Sequence, residues 1–168
     1  MSYGDSCQRT VEDERWILLI LRTHLAGRRE AVLYRVTRRG KLAVSRAEDK
    51  LNLARRHLER VLDAWDTPSD WDDLSLYGFY CLEAAVEAAA VRVGLKTSKK
   101  HWEKADIAVE LHKKHGLPNI EQLLHDLNDA RKSAAYGDVP APNLNAEDVA
   151  SEIERYVDAV EALVKGAP

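Results

Sequence analysis

The sequence predicts an all-α protein of five or six packed helices, and three observations predict it. Apolar residues recur at three- and four-residue steps through most of the chain. Glycine and proline fall where those runs stop. No strand–helix alternation, long-period repeat or low-complexity segment interrupts the pattern. With 168 residues, 45% hydrophobic and 32% charged, the chain suits one helical domain with a small N-terminal extension. The division falls at residues 1–40 for the extension and 41–168 for the domain.

The extension is the least regular part. A helix is expected from near Thr10, with Glu12 and Asp13 in its first turn, where carboxylates suit the helix dipole, and Gly27 as its stop. Between Ala31 and Val44 two readings stand. Val32, Tyr34 and Val36 alternate, and Arg39-Gly40 could turn the chain before Leu42 and Val44, giving a short hairpin. A helix closed by Gly40 is the reading that the helical surroundings favour.

From Lys41 to Trp65 the period is that of an amphipathic helix, with Leu51, Ala54, Leu58, Leu62 and Trp65 on one stripe. Thr67-Pro68 breaks it, and Ser69 with Asp72 forms an approximate capping box. The next helix, Asp70 to Val93, is apolar on most of its circumference: Leu74, Tyr77, Cys81, Ala84, Ala85, Ala88 and Val91 make one stripe. Its alanines admit close neighbours, so this is the expected central helix, ended by Gly94. Thr97 or Ser98 caps a shorter helix to His115, stopped by Gly116 and Pro118. Asn119 caps the next, with Gln122 at the capping-box position; Leu123, Leu124, Leu127 and Ala130 are its apolar residues and Tyr136-Gly137 its end. Asn145 caps the last, which buries Val149, Ile153, Tyr156, Val160 and Leu163.

Composition excludes several classes. No apolar run approaches a membrane span; the longest, Trp16 to Leu21, follows acidic Glu12, Asp13 and Glu14, unlike a signal peptide, and a cytoplasmic location is expected. Cys7 and Cys81 have no CxxC partner, which argues against a thiolate zinc site or a disulfide framework. Charge is uneven. Residues 1–60 carry 14 Lys+Arg against 8 Asp+Glu, and residues 61–168 carry 11 against 20. The basic stretch from Arg28 to Arg46 could meet phosphates or could pair with the acidic second half.

Few residues can carry chemistry. There is no phosphate-cradling glycine loop, no GxSxG and no HExxH. His112 and His115 share a helix face, but no third ligand is evident, so no metal or other cofactor is expected. His101 opens a helix behind Lys99 and Lys100, where it could touch a phosphate or cap a core. His125 lies six residues before Arg131, a spacing poor for direct cooperation on one helix. The informative segment is Arg131-Lys132-Ser133-Ala134-Ala135-Tyr136-Gly137-Asp138. Its arginine is either a snorkelling surface side chain or a fixed guanidinium suited to phosphate oxygens, with a tyrosine hydroxyl near the helix end.

That segment resembles RxxADYGD, a motif of the HEPN superfamily (higher-eukaryote and prokaryote nucleotide-binding), and matches it except at Ala135. Two further elements are similar to the family in the same order. Tyr77-Gly78-Phe79-Tyr80-Cys81-Leu82-Glu83-Ala84-Ala85 resembles its YYAxFHAA helix, and Thr97-Ser98-Lys99-Lys100-His101 resembles its Thr-His-Lys element. The resemblance runs from about Lys41 to the C-terminus and implies a HEPN-like bundle that pairs as a two-fold homodimer, with two arginine motifs facing across a cleft.

Family members are often metal-independent ribonucleases of toxin–antitoxin or defence systems, many encoded beside a minimal nucleotidyltransferase antitoxin. The resemblance therefore implies RNA as substrate, Arg131 and Tyr136 as the catalytic pair, and Lys132, Ser133, Asp138, His101 and Tyr80 as RNA or nucleotide contacts. It equally admits a non-catalytic module that binds a nucleotide or a nucleotidyltransferase partner. One departure is plain: the family's nuclease motif places a histidine four to six residues after the arginine, whereas Tyr136 stands here and no histidine follows His125. Free tyrosine, with a pKa near 10, is a poor proton acceptor at neutral pH.

Overall fold

The computed structural model describes residues 17–22, 31–36, 38–65, 70–137 and 143–166. The chain divides into two compact units, residues 1–42 and 43–168.

In the first unit two strands, β1 (Ile17–Arg22) and β2 (Ala31–Val36), pair antiparallel, with Ile17 opposite Val36 and Arg22 opposite Ala31. This corrects the helix expected from Thr10 to Gly27 and the favoured helical reading of Ala31 onward. The hairpin also differs from the one permitted by sequence, because Arg39 and Gly40 lie inside α1 (Arg38–Trp65) instead of forming its turn. The physical reason is that short apolar runs such as Ile-Leu-Leu-Ile-Leu have no decisive period. Each six-residue segment satisfies its backbone through the other, and that non-local pairing settles the conformation.

The second unit is helical: the rest of α1, then α2 (Trp71–Val93), α3 (His101–His115), α4 (Glu121–Tyr136) and α5 (Ala146–Lys165). Here the expected elements are present, with corrections at their caps. Asp70 is the N-cap of α2, its Oδ1 accepting the N–H groups of Asp72 and Asp73 at 3.1 Å; the expected cap, Ser69, lies outside the described residues. Ser98 Oγ accepts the N–H of Lys100 ahead of α3 and does not cap it. Asn119 likewise accepts from Glu121 one position before the cap of α4, and Gln122 donates to Asp126. Asn145 caps α5 as expected, accepting from Asp148 at 3.1 Å.

The core is centred on α2, which packs most extensively on α5 and α4 and less on α3. Alanines 84, 85, 88, 89 and 90 are buried, and their small side chains let neighbours approach. Gly78 marks the tightest point: a Cβ there would stand 3.0 Å from Ile153 Cδ1 and 3.3 Å from Leu127 Cδ1. On α1 the buried row is Ala47, Ala54 and Val61 with Leu51 and Ala64. Leu62, expected on the stripe, is at the edge of that arc and 36% exposed. The Cys81 thiol donates to the Ala54 carbonyl at 3.2 Å, tying α1 to α2, and burial pushes its pKa up to about 12. Such a thiol is inert.

Among the described residues α2 is the one helix long and apolar enough to cross a membrane, although the sequence's longest continuous apolar run is short. The bundle buries 72% of its apolar window, as befits a core helix.

Candidate functional site

Arg131 is built into the structure by its neighbours on α4 and by the ring beneath it. The helix starts at Glu121 and runs without a break to Gly137, which closes it in the left-handed region at φ 68 and donates its N–H to the Ser133 carbonyl. Leu123, Leu124 and Leu127 anchor this helix in the core. Arg131, one turn further on, is half-buried. Its Nη2 donates to Asn128 Oδ1 at 3.0 Å, and its guanidinium carbon stands 5.1 Å from the centroid of Phe79 on α2. The guanidinium is thereby held over an aromatic ring. Its Nε is buried and, among the described residues, has no hydrogen-bond partner. A buried unsatisfied donor costs about 1–3 kcal/mol, so it requires an explanation.

The space beside it is a cavity of about 280 Å³ between α2, α3 and α4, lined by Phe79, His101, Trp102, Leu124, His125 and Arg131, with Ala105, Asn128 and Lys132 completing the wall. This is small for a ligand pocket, the scale of one nucleotide unit rather than a large cofactor. Its polar groups are cationic or amide donors, imidazoles and the Asn128 carboxamide, and no carboxylate lines it. Trp102 is 66% exposed at this cavity, with Lys100 Nζ 5.2 Å from its ring.

Behind His101 stands a buried charged chain. His101 Nδ1 is 2.6 Å from Glu83 Oε1, and Glu83 is only 5% exposed on the apolar helix α2. Lys104, also buried, places Nζ 3.5 Å from Glu83 Oε2 and 2.7 Å from Glu87 Oε1, and Lys50 reaches Glu87 Oε2 at 2.5 Å. Burial opposes the charged form of Glu87, but the hydrogen bonds from Lys104 and Lys50 outweigh it and hold its carboxyl below the ordinary value.

The residues singled out from sequence are thus divided. Arg131, Lys132 and His101 line the cavity; Lys132 also pairs with Asp129 at 2.8 Å. Ser133 is half-buried and does not line it. Tyr136 is 75% exposed and lies about 140° around the helix from Arg131, so the two do not share a face. Tyr80 is half-buried outside the cavity, its ring 6.0 Å from Phe79 and 5.9 Å from His57. Asp138 lies outside the described residues. His125, whose spacing on α4 argued against cooperation with Arg131, does line the same cavity, because the cavity runs along α4 from Leu124 to Lys132, just over two turns.

Sequence reasoning missed Trp102, Asn128 and Glu83 as site residues. Glu83 had a signal: a carboxylate inside an alanine-rich run must find a partner. His112 is explained structurally, its Nδ1–H donating to the Leu117 carbonyl at 2.7 Å across the α3–α4 turn. Among the described residues no three His, Cys, Asp or Glu side chains gather as a metal ion would need. No family model, curated protein or solved structure matches this chain.

Proposed function

We propose that this protein is an RNA-binding module of HEPN type, in which the Arg131 cavity receives one backbone phosphate and its nucleotide. The observation that carries the reading is the guanidinium itself: half-buried, set over the Phe79 ring at the cavity wall, with an Nε–H that has no partner among the described residues. A guanidinium suits phosphate oxygens, which it binds in two-pronged fashion. Lys132, His101 and His125 add positive or donor groups around it, while exposed Trp102 offers a face on which a base can stack. The order of the Tyr77–Ala85, Thr97–His101 and Arg131–Asp138 motifs supports the family reading. On that reading the protein works as a homodimer in a toxin or defence module, with a nucleotidyltransferase as partner.

The test is binding of a fluorescein-labelled single-stranded oligoribonucleotide, followed by anisotropy with chelator present. Saturable binding that weakens at least tenfold in Arg131→Ala supports the reading, and binding indifferent to Arg131 refutes it. Light scattering on the same samples reads the dimer: a monomer throughout the binding range removes the two-fold cleft from the proposal.

A further inference from the structure

We infer that His101, backed by Glu83, is a second phosphate contact of the Arg131 cavity and engages it as an imidazolium, so that RNA binding takes up a proton. The inference rests on the RNA-binding reading and adds the charge state of one contact. Its consequence is an affinity that rises as pH falls through the range in which imidazoles titrate.

A carboxylate can only accept a hydrogen bond, so Glu83 Oε1, 2.6 Å from Nδ1, fixes one imidazole proton on that nitrogen. Glu83 is buried on α2 and cannot follow a mobile ring, whereas His101 is exposed and lines the cavity, so solvent protons reach it. Nε2 is left as the ring nitrogen for a ligand. The Phe79 ring centre lies 5.5 Å from the imidazole centre and 5.1 Å from the Arg131 guanidinium carbon. Both side chains therefore flank one aromatic ring at the cavity wall. Two oxygens of one phosphate, or neighbouring phosphates of a strand, suit such a pair, since neither contact requires the other to reach the same atom.

The charges around His101 make its second proton conditional on a ligand. Lys104 of α3 places Nζ 3.5 Å from Glu83 and 2.7 Å from Glu87, and Lys50 of α1 reaches Glu87 at 2.5 Å. Two carboxylates thus already face two ammonium groups, and that chain needs no further cation. Beside His101 on α3, Lys100 pairs with Glu103 at 2.8 Å. From α4, His125, Arg131 and Lys132 line the same cavity; Lys132 pairs with Asp129, whereas Arg131 bonds the neutral Asn128. Without a ligand the guanidinium therefore opposes a positive imidazole. A phosphate reverses the balance. It offsets the guanidinium and sets the ring between two anions, the Glu83 carboxylate on Nδ1 and the phosphate on Nε2, which favours the doubly protonated form. The proton comes from solvent, and no covalent bond of the RNA changes. By linkage, protonation of His101 and binding of RNA strengthen each other by the same factor.

The test is isothermal titration calorimetry of the full chain with an oligouridylate that has hydroxyl ends, because a terminal phosphate would itself titrate near about pH 6. Run in two buffers of different protonation enthalpy, the titration reads proton uptake directly. Binding about tenfold tighter at pH 6 than at pH 8 is expected, with an uptake of roughly half a proton per site near neutral pH. His101→Gln keeps an amide donor for Glu83 but cannot ionise, so its affinity should be the same at both pH values and within about twofold of the parent at pH 8. His125→Gln should keep the pH dependence. Glu83→Gln should shrink it while Arg131-dependent binding persists. If His101→Gln does not fold, the parent's proton uptake and the reduced dependence in Glu83→Gln carry the test. Arg131-dependent binding without proton uptake overturns the inference and leaves the binding reading standing. So does a pH dependence that survives in His101→Gln or vanishes in His125→Gln. Absence of Arg131-dependent RNA binding overturns both.

Discussion

The two flanks of α2 follow opposite rules. Toward α5 and the end of α4 the helix presents Leu74, Gly78, Ala85 and Leu82 to a core in which Ile153, Val157 and Leu127 are almost wholly buried. Toward α3 and the Arg131 turn of α4 it presents Phe79 to a cavity edged by imidazoles and an arginine, and Glu83, outside that lining, to His101 and buried Lys104. The first flank stabilises by excluding water from apolar surface. The second keeps a hollow of about 280 Å³, an Nε without a partner among the described residues and a chain of buried charges, none of which is the least costly way to fill that volume.

Four measurements break or sharpen this comparison, in decreasing order of effect. Ile153→Ala removes side-chain volume from the apolar flank, where the neighbours around Gly78 are already in close contact and cannot collapse far. A loss of about 3–4 kcal/mol is expected in urea unfolding, with RNA affinity of the folded fraction unchanged. A loss below 1 kcal/mol would mean that this flank is loosely packed after all.

Lys104→Ala acts on the charged flank and leaves the carboxylates of Glu83 and Glu87 buried against one another's field. About 3 kcal/mol of destabilisation is expected, and substantial recovery in the Lys104→Ala, Glu83→Gln double variant. Simple additivity of the two changes would show that the cluster is not coupled.

Arg131→Met separates function from stability most directly. It deletes the cation–π contact and the Asn128 hydrogen bond but also the unsatisfied donor, so stability should stay within about 1 kcal/mol of the parent while RNA binding collapses. A strongly destabilised variant would make Arg131 a structural residue.

The smallest effect is acid sensitivity. Burial, and secondarily Arg56, lowers the pKa of His57 below its ordinary 6.5. The unfolded chain then takes up a proton at about 6.5 that the folded chain still refuses. Stability is therefore full above that pH and falls as pH drops below it. His57→Gln should flatten the dependence of the melting temperature between pH 7.5 and 5.5, in titration steps of about half a unit. Glu87 acts lower. Its depressed folded value makes its contribution present above the ordinary carboxylate range and lost as pH falls through that folded value, so a decline surviving in His57→Gln below about pH 4.5 belongs to the Glu87–Lys104–Lys50 group.

Legibility followed distance along the chain. The helices of residues 43–168 could be read because their causes are local: a 3.6-residue period, asparagine or aspartate at starts and glycine at stops. Even there the caps slipped by a residue or two, since Asp70 competed with Ser69 and Ile120 took the position expected of Asn119. Arg131 could be singled out because an arginine inside a run of small residues is conspicuous. Tyr136, five residues on, was grouped with it by motif, whereas the helix turns its ring to solvent. Glu83 and Trp102 were silent, one inside an apolar stripe and the other looking like any helix-face aromatic.

By itself, then, the sequence determined the helical character of the second unit and its five segments, with their ends only to within about three residues, because each depends on residues within one or two turns of one another. Tertiary structure alone decided two things. It decided that Ile17–Arg22 and Ala31–Val36 are strands, since a short apolar run takes its conformation from the segment that satisfies its backbone. It also decided that Phe79, His101, His125 and Arg131 meet around one cavity, with Glu83 set against His101. Those residues come from three helices, and no periodicity encodes which faces of separate helices will be pressed together; that is settled by how the alanine-rich α2 lets its neighbours approach.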